Sequence, residues 1–169
     1  MEASRPRTYS TLQIALHWII AALIVFQILV HDGMEDAFRA SMRGTDPGDD
    51  LLWANVHAAV GIAVLVLAVI RLAIRLTRGA PAMHRDKPEA LIWVAKITHL
   101  LLYVLIFFLP VSGAAAWFFS LDPPAEAHEV AKTLLLIVVG VHLLGALAEH
   151  FFFRNDSLLR MLGRPSPRS

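Results

Sequence analysis

Residues 11–31 read TLQIALHWIIAALIVFQILVH, a run without a formal charge. A helix that crosses a bilayer needs roughly 20 predominantly apolar residues, and this stretch supplies them. It is longer than the apolar region of a cleavable leader, carries Gln13, His17 and Trp18, and has no small-residue cleavage site, so it reads as a retained helix. Residues 51–70 form a second uncharged window. A third, 97–121, contains Pro110 and Gly113, which are expected to kink or end it. The fourth is uncharged only over 133–148, so spanning requires extending it over 127–153 and taking in Lys132 and Glu149, whose long side chains can snorkel. Hydropathy thus predicts helices over about 11–31, 51–75, 94–118 and 127–153. The expected fold is all-α: an integral membrane four-helix bundle, with 1–169 as a single membrane domain.

Composition agrees. Hydrophobic residues make up 57% of the chain and charged ones 17%, well away from the soluble balance. The formal charge of +1 shows no basic excess, which sets nucleic acid aside as a partner. The absence of cysteine excludes disulfides, thiolate metal sites, iron-sulfur clusters, covalently attached haem and cysteine nucleophiles.

Charge also orients the bundle, because short cytoplasmic loops collect Lys and Arg. Arg5 and Arg7 precede the first helix, and Arg71, Arg75, Arg78, Arg85, Lys87 and Lys96 surround the second connection. Arg154, Arg160, Arg164 and Arg168 follow the fourth helix. The opposite segments hold Asp32, Glu35, Asp36, Asp46, Asp49, Asp50, Asp122, Glu126 and Glu129 against Arg39, Arg43 and Lys132. Both termini are therefore expected to be cytoplasmic. An outer surface of that sign repels an anionic substrate unless the three cations gather into a local funnel.

Eight histidines carry the remaining chemistry. Ionisable residues within membrane helices are costly and mark functional sites by default. At about 1.5 Å rise per residue, His17 lies about 10 Å in from the cytoplasmic end of the first helix, and His142 lies at a comparable depth on the fourth. His57, His128 and His31 belong to the outer half; His84 lies in the second connection. The spacings His17 to His31 and His128 to His142 are each close to four helical turns, about 21 Å along one face, so a helix can serve two stacked sites. Paired neutral imidazoles on facing helices suit a six-coordinate haem iron. Zinc wants four ligands, and no layer supplies such a cluster of His, Asp and Glu. Spacing alone selects His31 as the outer partner of His128, with His57 also in that half. Gly61, Gly140 and Gly145 beside these histidines either leave room for a flat macrocycle or serve close helix packing.

QIALHW on the first helix, VHAAVGIAVLVLAVIRL on the second, HLLLYVLIFFLPVSG on the third and HLLGALAEHFFFRNDSLLRML on the fourth resemble the bacterial cytochrome b561 family, in order and over nearly the whole chain. The resemblance implies a bacterial inner-membrane protein with two haems b. Such a protein passes electrons between a periplasmic electron donor and the quinone pool, with ubiquinone as acceptor. It also implies that His17 and His142 ligate the inner haem and His57 and His128 the outer one, since the family's histidine near the start of the second helix is followed one turn later by glycine. One branch of the family oxidises superoxide, and its members can carry a longer connection than the one at 116–127 here.

Arg71 and Arg75 are candidate partners of inner haem propionates, Lys132 of outer ones, and His99 and His150 candidates for a quinone site. Positive-inside anchoring accounts equally for the arginines, snorkelling for the lysine, and an interfacial position for the two histidines. Competing functions are a proton or metal transporter, set back by the scarcity of intramembrane carboxylates, and a haem-bearing anchor subunit of a larger redox enzyme.

Overall fold

A computed structural model describes residues 8–79, 81 and 88–164. Arg5, Arg7, His84, Arg85, Lys87 and Arg168 lie outside the described residues. The elements, in order, are α1 (Thr11–Leu29), α2 (His31–Met42), α3 (Asp50–Arg78), α4 (Glu89–Phe119), α5 (Asp122–Phe151) and α6 (Ser157–Met161). Four of them, α1, α3, α4 and α5, are long and apolar enough to span a membrane. The chain is an all-α, multi-pass membrane protein.

Capping opens α1. The Ser10 hydroxyl accepts from the Gln13 amide, and the Gln13 side chain accepts from Ser10 N–H at 2.9 Å, a reciprocal box that satisfies two backbone donors. The same Gln13 side chain donates to the Gly79 carbonyl at 3.0 Å, tying the start of α1 to the end of α3. Trp18 Nε1 donates to the Met161 carbonyl at 2.8 Å and brings α6 to this end as well. The first turns of α1 and the last turns of α3 and α5 therefore share one end of the bundle, and α2 lies at the other.

Three boundaries depart from the hydropathy reading. Helix α1 stops at Leu29, and His31 opens a separate helix instead of closing the first one. Helix α2 was invisible to hydropathy because it is amphipathic: Ala37 is fully buried, while Arg39 pairs outward with Glu35 and Asp36. It approaches α3 so closely that a Cβ on Gly33 would fall 2.8 Å from Trp53 Cβ. Helix α5 begins at Asp122, since Pro123 and Pro124 sit in its first turn, where proline's fixed φ is preorganised and its missing N–H costs nothing. Only Ser120 and Leu121 separate α4 from α5.

Pro110 neither ends nor divides α4, which runs on to Phe119. Neighbouring helices can hold a proline-bearing membrane helix together by packing on both sides of the freed carbonyl.

Small side chains share the buried core with Leu16, Ile20, Val64, Leu105 and Leu135. Ala54, Ala68, Thr98, Ser112, Ala116 and Ala131 are buried, while large residues such as Leu144 (68% exposed) and Leu100 (63%) point outward. That inversion is expected where lipid is the solvent and close backbone approach, not apolar burial, drives helix association. The main apolar cluster is Leu105, Ala131 and Leu135, with Ile24, Leu102 and Val138 against it. Leu135 stands midway along α5 between His128 and His142, so this layer separates the two ends.

Candidate functional site

The helices bring four histidines together as two pairs. At the α6 end, His17 on α1 faces His142 on α5 with ring centroids 6.3 Å apart. At the α2 end, His57 on α3 faces His128 on α5, also at 6.3 Å. Two imidazole nitrogens on opposite sides of one iron, each about 2 Å from the metal and about 1 Å from its own ring centre, leave centroids about 6 Å apart. Both pairs match that spacing.

The His57–His128 pair opens on a cavity of about 190 Å³ lined by His57, His128, Gly61, Trp117 and Phe38 among others. His128 is held in one orientation. Its Nδ1 lies 2.9 Å from the Leu109 carbonyl, which can only accept, so Nδ1 carries the hydrogen and Nε2 keeps its lone pair for a metal. Ser112 Oγ sits 3.3 Å from the same nitrogen. Gly113 makes this possible, for a Cβ there would stand 3.0 Å from the His128 ring. The segment from Leu109 to Gly113, which hydropathy marks only as a break, is the cradle of His128. On the opposite wall, Gln27 donates from Nε2 to the His57 carbonyl at 2.9 Å.

His31 does not face His128 as a ring partner. It is bound by Lys132 Nζ at its Nε2 and by Asp32 at its Nδ1 (3.1 Å), with carboxylate oxygens of Glu35 and Glu129 at 3.6 and 3.8 Å. Lys132 also pairs with Glu129, so its ammonium is already engaged. The break at Val30 explains the difference: it takes His31 off the axis of α1 and into an ionic cluster at the rim of the cavity.

At the α6 end, His17 also meets Trp18 edge-on at 5.3 Å, and His99 of α4 meets His142 at 5.2 Å. His99 Nδ1 donates to the Ala95 carbonyl at 2.6 Å, leaving its Nε2 free as an acceptor. Arg71 donates to the Gln13 carbonyl at 2.7 Å, one turn before His17, and the guanidinium has further donors for an anionic group. Arg75 follows one turn later, half-buried. His150 packs edge-on against Phe151 at 5.0 Å, and its Nδ1 is buried without a hydrogen-bond partner. Around Gly140 and Gly145, a Cβ would meet nothing within 4 Å. Open space, not close helix packing, is therefore their setting.

Among the described residues, no three His, Asp or Glu side chains gather as a site for a bare metal ion. Sequence reasoning missed Gln27 and the Leu109–Ser112–Gly113 cradle. The one available signal for Gln27 was an amide in an otherwise apolar half-helix; a backbone carbonyl leaves no signal at all.

Comparison with known proteins places this arrangement. Residues 8–164 match the family model described as prokaryotic cytochrome b561. Cytochrome b562 of Cereibacter sphaeroides is 32% identical over 154 residues, covering 91% of this chain and 94% of that protein. A probable superoxide oxidase, CybB, of Yersinia pestis is 28% identical over 178 aligned positions, covering 92% and 96%. Cytochrome b561 homolog 1 of Escherichia coli is 27% identical, covering 92% and 97%. With the match spanning nearly all of the bundle and both histidine pairs, the chain belongs to the prokaryotic cytochrome b561 family, membrane electron-transfer proteins that bind haem b.

Proposed function

We propose that this protein is a di-haem b electron carrier of the bacterial inner membrane, passing electrons between a periplasmic donor and ubiquinone. In this reading, His17 and His142 ligate an inner haem, His57 and His128 an outer one, and both termini are cytoplasmic. The observation that carries it is the pair of 6.3 Å imidazole separations at opposite ends of the bundle. Bound haem supplies one-electron chemistry, and the chain supplies position and electrostatics. Arg71 and Arg75 are placed to hold inner propionates, and Lys132 an outer one if it leaves Glu129. His99, against His142, and His150, with its unpartnered Nδ1, are the groups able to hydrogen-bond a quinone oxygen or pass its protons. Detergent-purified protein is expected to hold two noncovalent haems b by pyridine haemochrome. Anaerobic titration with ubiquinol is expected to reduce them. One haem per chain removes the outer site, and none removes the reading.

Superoxide oxidation is the second reading, favoured by the likeness to the Yersinia protein. Two observations weigh against it. The alignment with that protein is longer than this chain, so the relative carries residues that have no counterpart here, whereas the match to cytochrome b562 needs few gaps. Arg39 is paired with Glu35 and Asp36, and Lys132 with Glu129, which leaves no bare cationic funnel built from those two residues. In stopped-flow experiments a cationic donor is therefore expected to reduce the outer haem about tenfold more slowly when salt is raised to physiological levels, because screening removes the attraction of the acidic face. Reduction of the haem by superoxide is expected to be slow at low salt and not to slow further. Fast haem reduction by superoxide that falls with salt reverses the assignment in favour of superoxide:ubiquinone oxidoreductase.

A further inference from the structure

We propose that Gln27 is the positioning residue for His57, its carboxamide oxygen accepting the Nδ1 hydrogen of that imidazole directly or through one water. This rests on the di-haem reading and deepens it at the outer site.

The inference begins with an asymmetry between the two outer histidines. His128 has a carbonyl at 2.9 Å from its Nδ1, and His99 at the other end has one at 2.6 Å. His57 has neither: its Nδ1 is buried and makes no hydrogen bond. A metal-ligating histidine almost always donates its second ring N–H, because that bond fixes the tautomer and orients the ring. Gln27 Oε1 is likewise buried with no partner. A donor lacking an acceptor and an acceptor lacking a donor thus stand on residues already joined through Gln27 Nε2 and the His57 carbonyl, at 2.9 Å.

The terminal torsion of glutamine is soft, and Gly61 leaves the amide its space, since a Cβ there would already be 3.4 Å from Gln27 Nε2. Among the described residues no Asp or Glu bonds the His57 Nδ1, and the acceptor this structure offers it is the Gln27 amide. Once Nδ1–H donates, Nε2 becomes a stronger electron donor and favours ferric iron. Loss of the acceptor therefore raises the midpoint potential of the outer haem and leaves the inner one alone.

The test is an anaerobic potentiometric titration of the full-length, haem-loaded protein with Gln27→Leu and Gln27→Glu, together with low-temperature EPR of each low-spin haem. The outer component is assigned from His17→Ala. Gln27→Leu is expected to shift the outer reduction equilibrium about tenfold toward ferrous haem, about 59 mV for one electron, with a changed EPR signature for that haem only. Gln27→Glu keeps an acceptor oxygen and is expected to hold the outer potential at or below the parent value. An unchanged outer potential in Gln27→Leu overturns the proposal. So does an equal shift of both haems, or a Glu variant that behaves like Leu. If Gln27→Leu fails to take up the outer haem, retention of both haems by Gln27→Glu supports the proposal and their loss overturns it. Unmodified protein that lacks an outer haem removes the di-haem reading itself, and this inference with it.

Discussion

Replacing His57 with alanine is expected to remove about half of the bound haem and leave the remaining spectrum that of a single low-spin site, while His31→Ala keeps both haems. Helix spacing alone selects His31, and the family pattern selects His57. His57 faces His128 across 6.3 Å; His31 spends both ring nitrogens on Lys132 and Asp32. Breaking that rim cluster costs little, because pairs with solvent-exposed carboxylates such as Asp32 typically contribute about 0–1 kcal/mol. The measurement is haem content by pyridine haemochrome with a reduced-minus-oxidised spectrum of each variant. Loss of a haem in His31→Ala with both retained in His57→Ala would falsify the pairing and restore the ligand set that symmetry suggests.

At the other end, His142→Ala and His17→Ala are each expected to remove the inner haem and abolish reduction by ubiquinol, while dithionite still reduces the outer haem. His142 lies on the same helix as His128 but close to four turns away, about 21 Å. The apolar layer of Leu105, Ala131 and Leu135 stands between them. Alanine is the best helix former, so neither substitution weakens its helix. Spectra identical to the parent in both variants would exclude the inner pair as ligands. Loss of both haems together would mean that the two sites are not independent.

The four spans were legible because the bilayer imposes its thickness on the chain: each needs a long apolar window, and hydropathy along the sequence records it. The depths of the histidines were legible for a related reason. A constant rise per residue turns sequence number into height, so His17 and His142 could be matched by level before any coordinate was known, and His128 could be set level with both His31 and His57. Charge, too, is additive along the chain, and the contrast between the Arg-rich connections and the acidic ones needed no fold.

Azimuth, breaks and short polar helices were not legible in the same way. Whether His31 or His57 turns toward His128 depends on the interruption at Val30, where the chain leaves α1 and starts α2. That choice goes with the packing of Gly33 on Trp53, a contact between α2 and α3 that residue types alone do not specify. Pro110 reads locally as a breaker, yet α4 continues, since the stability of a membrane helix is shared with the helices around it. The fixing of the His128 tautomer by the Leu109 carbonyl, and the space that Gly113 leaves for its ring, belong to the meeting of α4 with α5. Every residue has such a carbonyl, so its use is specified by the approach of two helices and not by residue type.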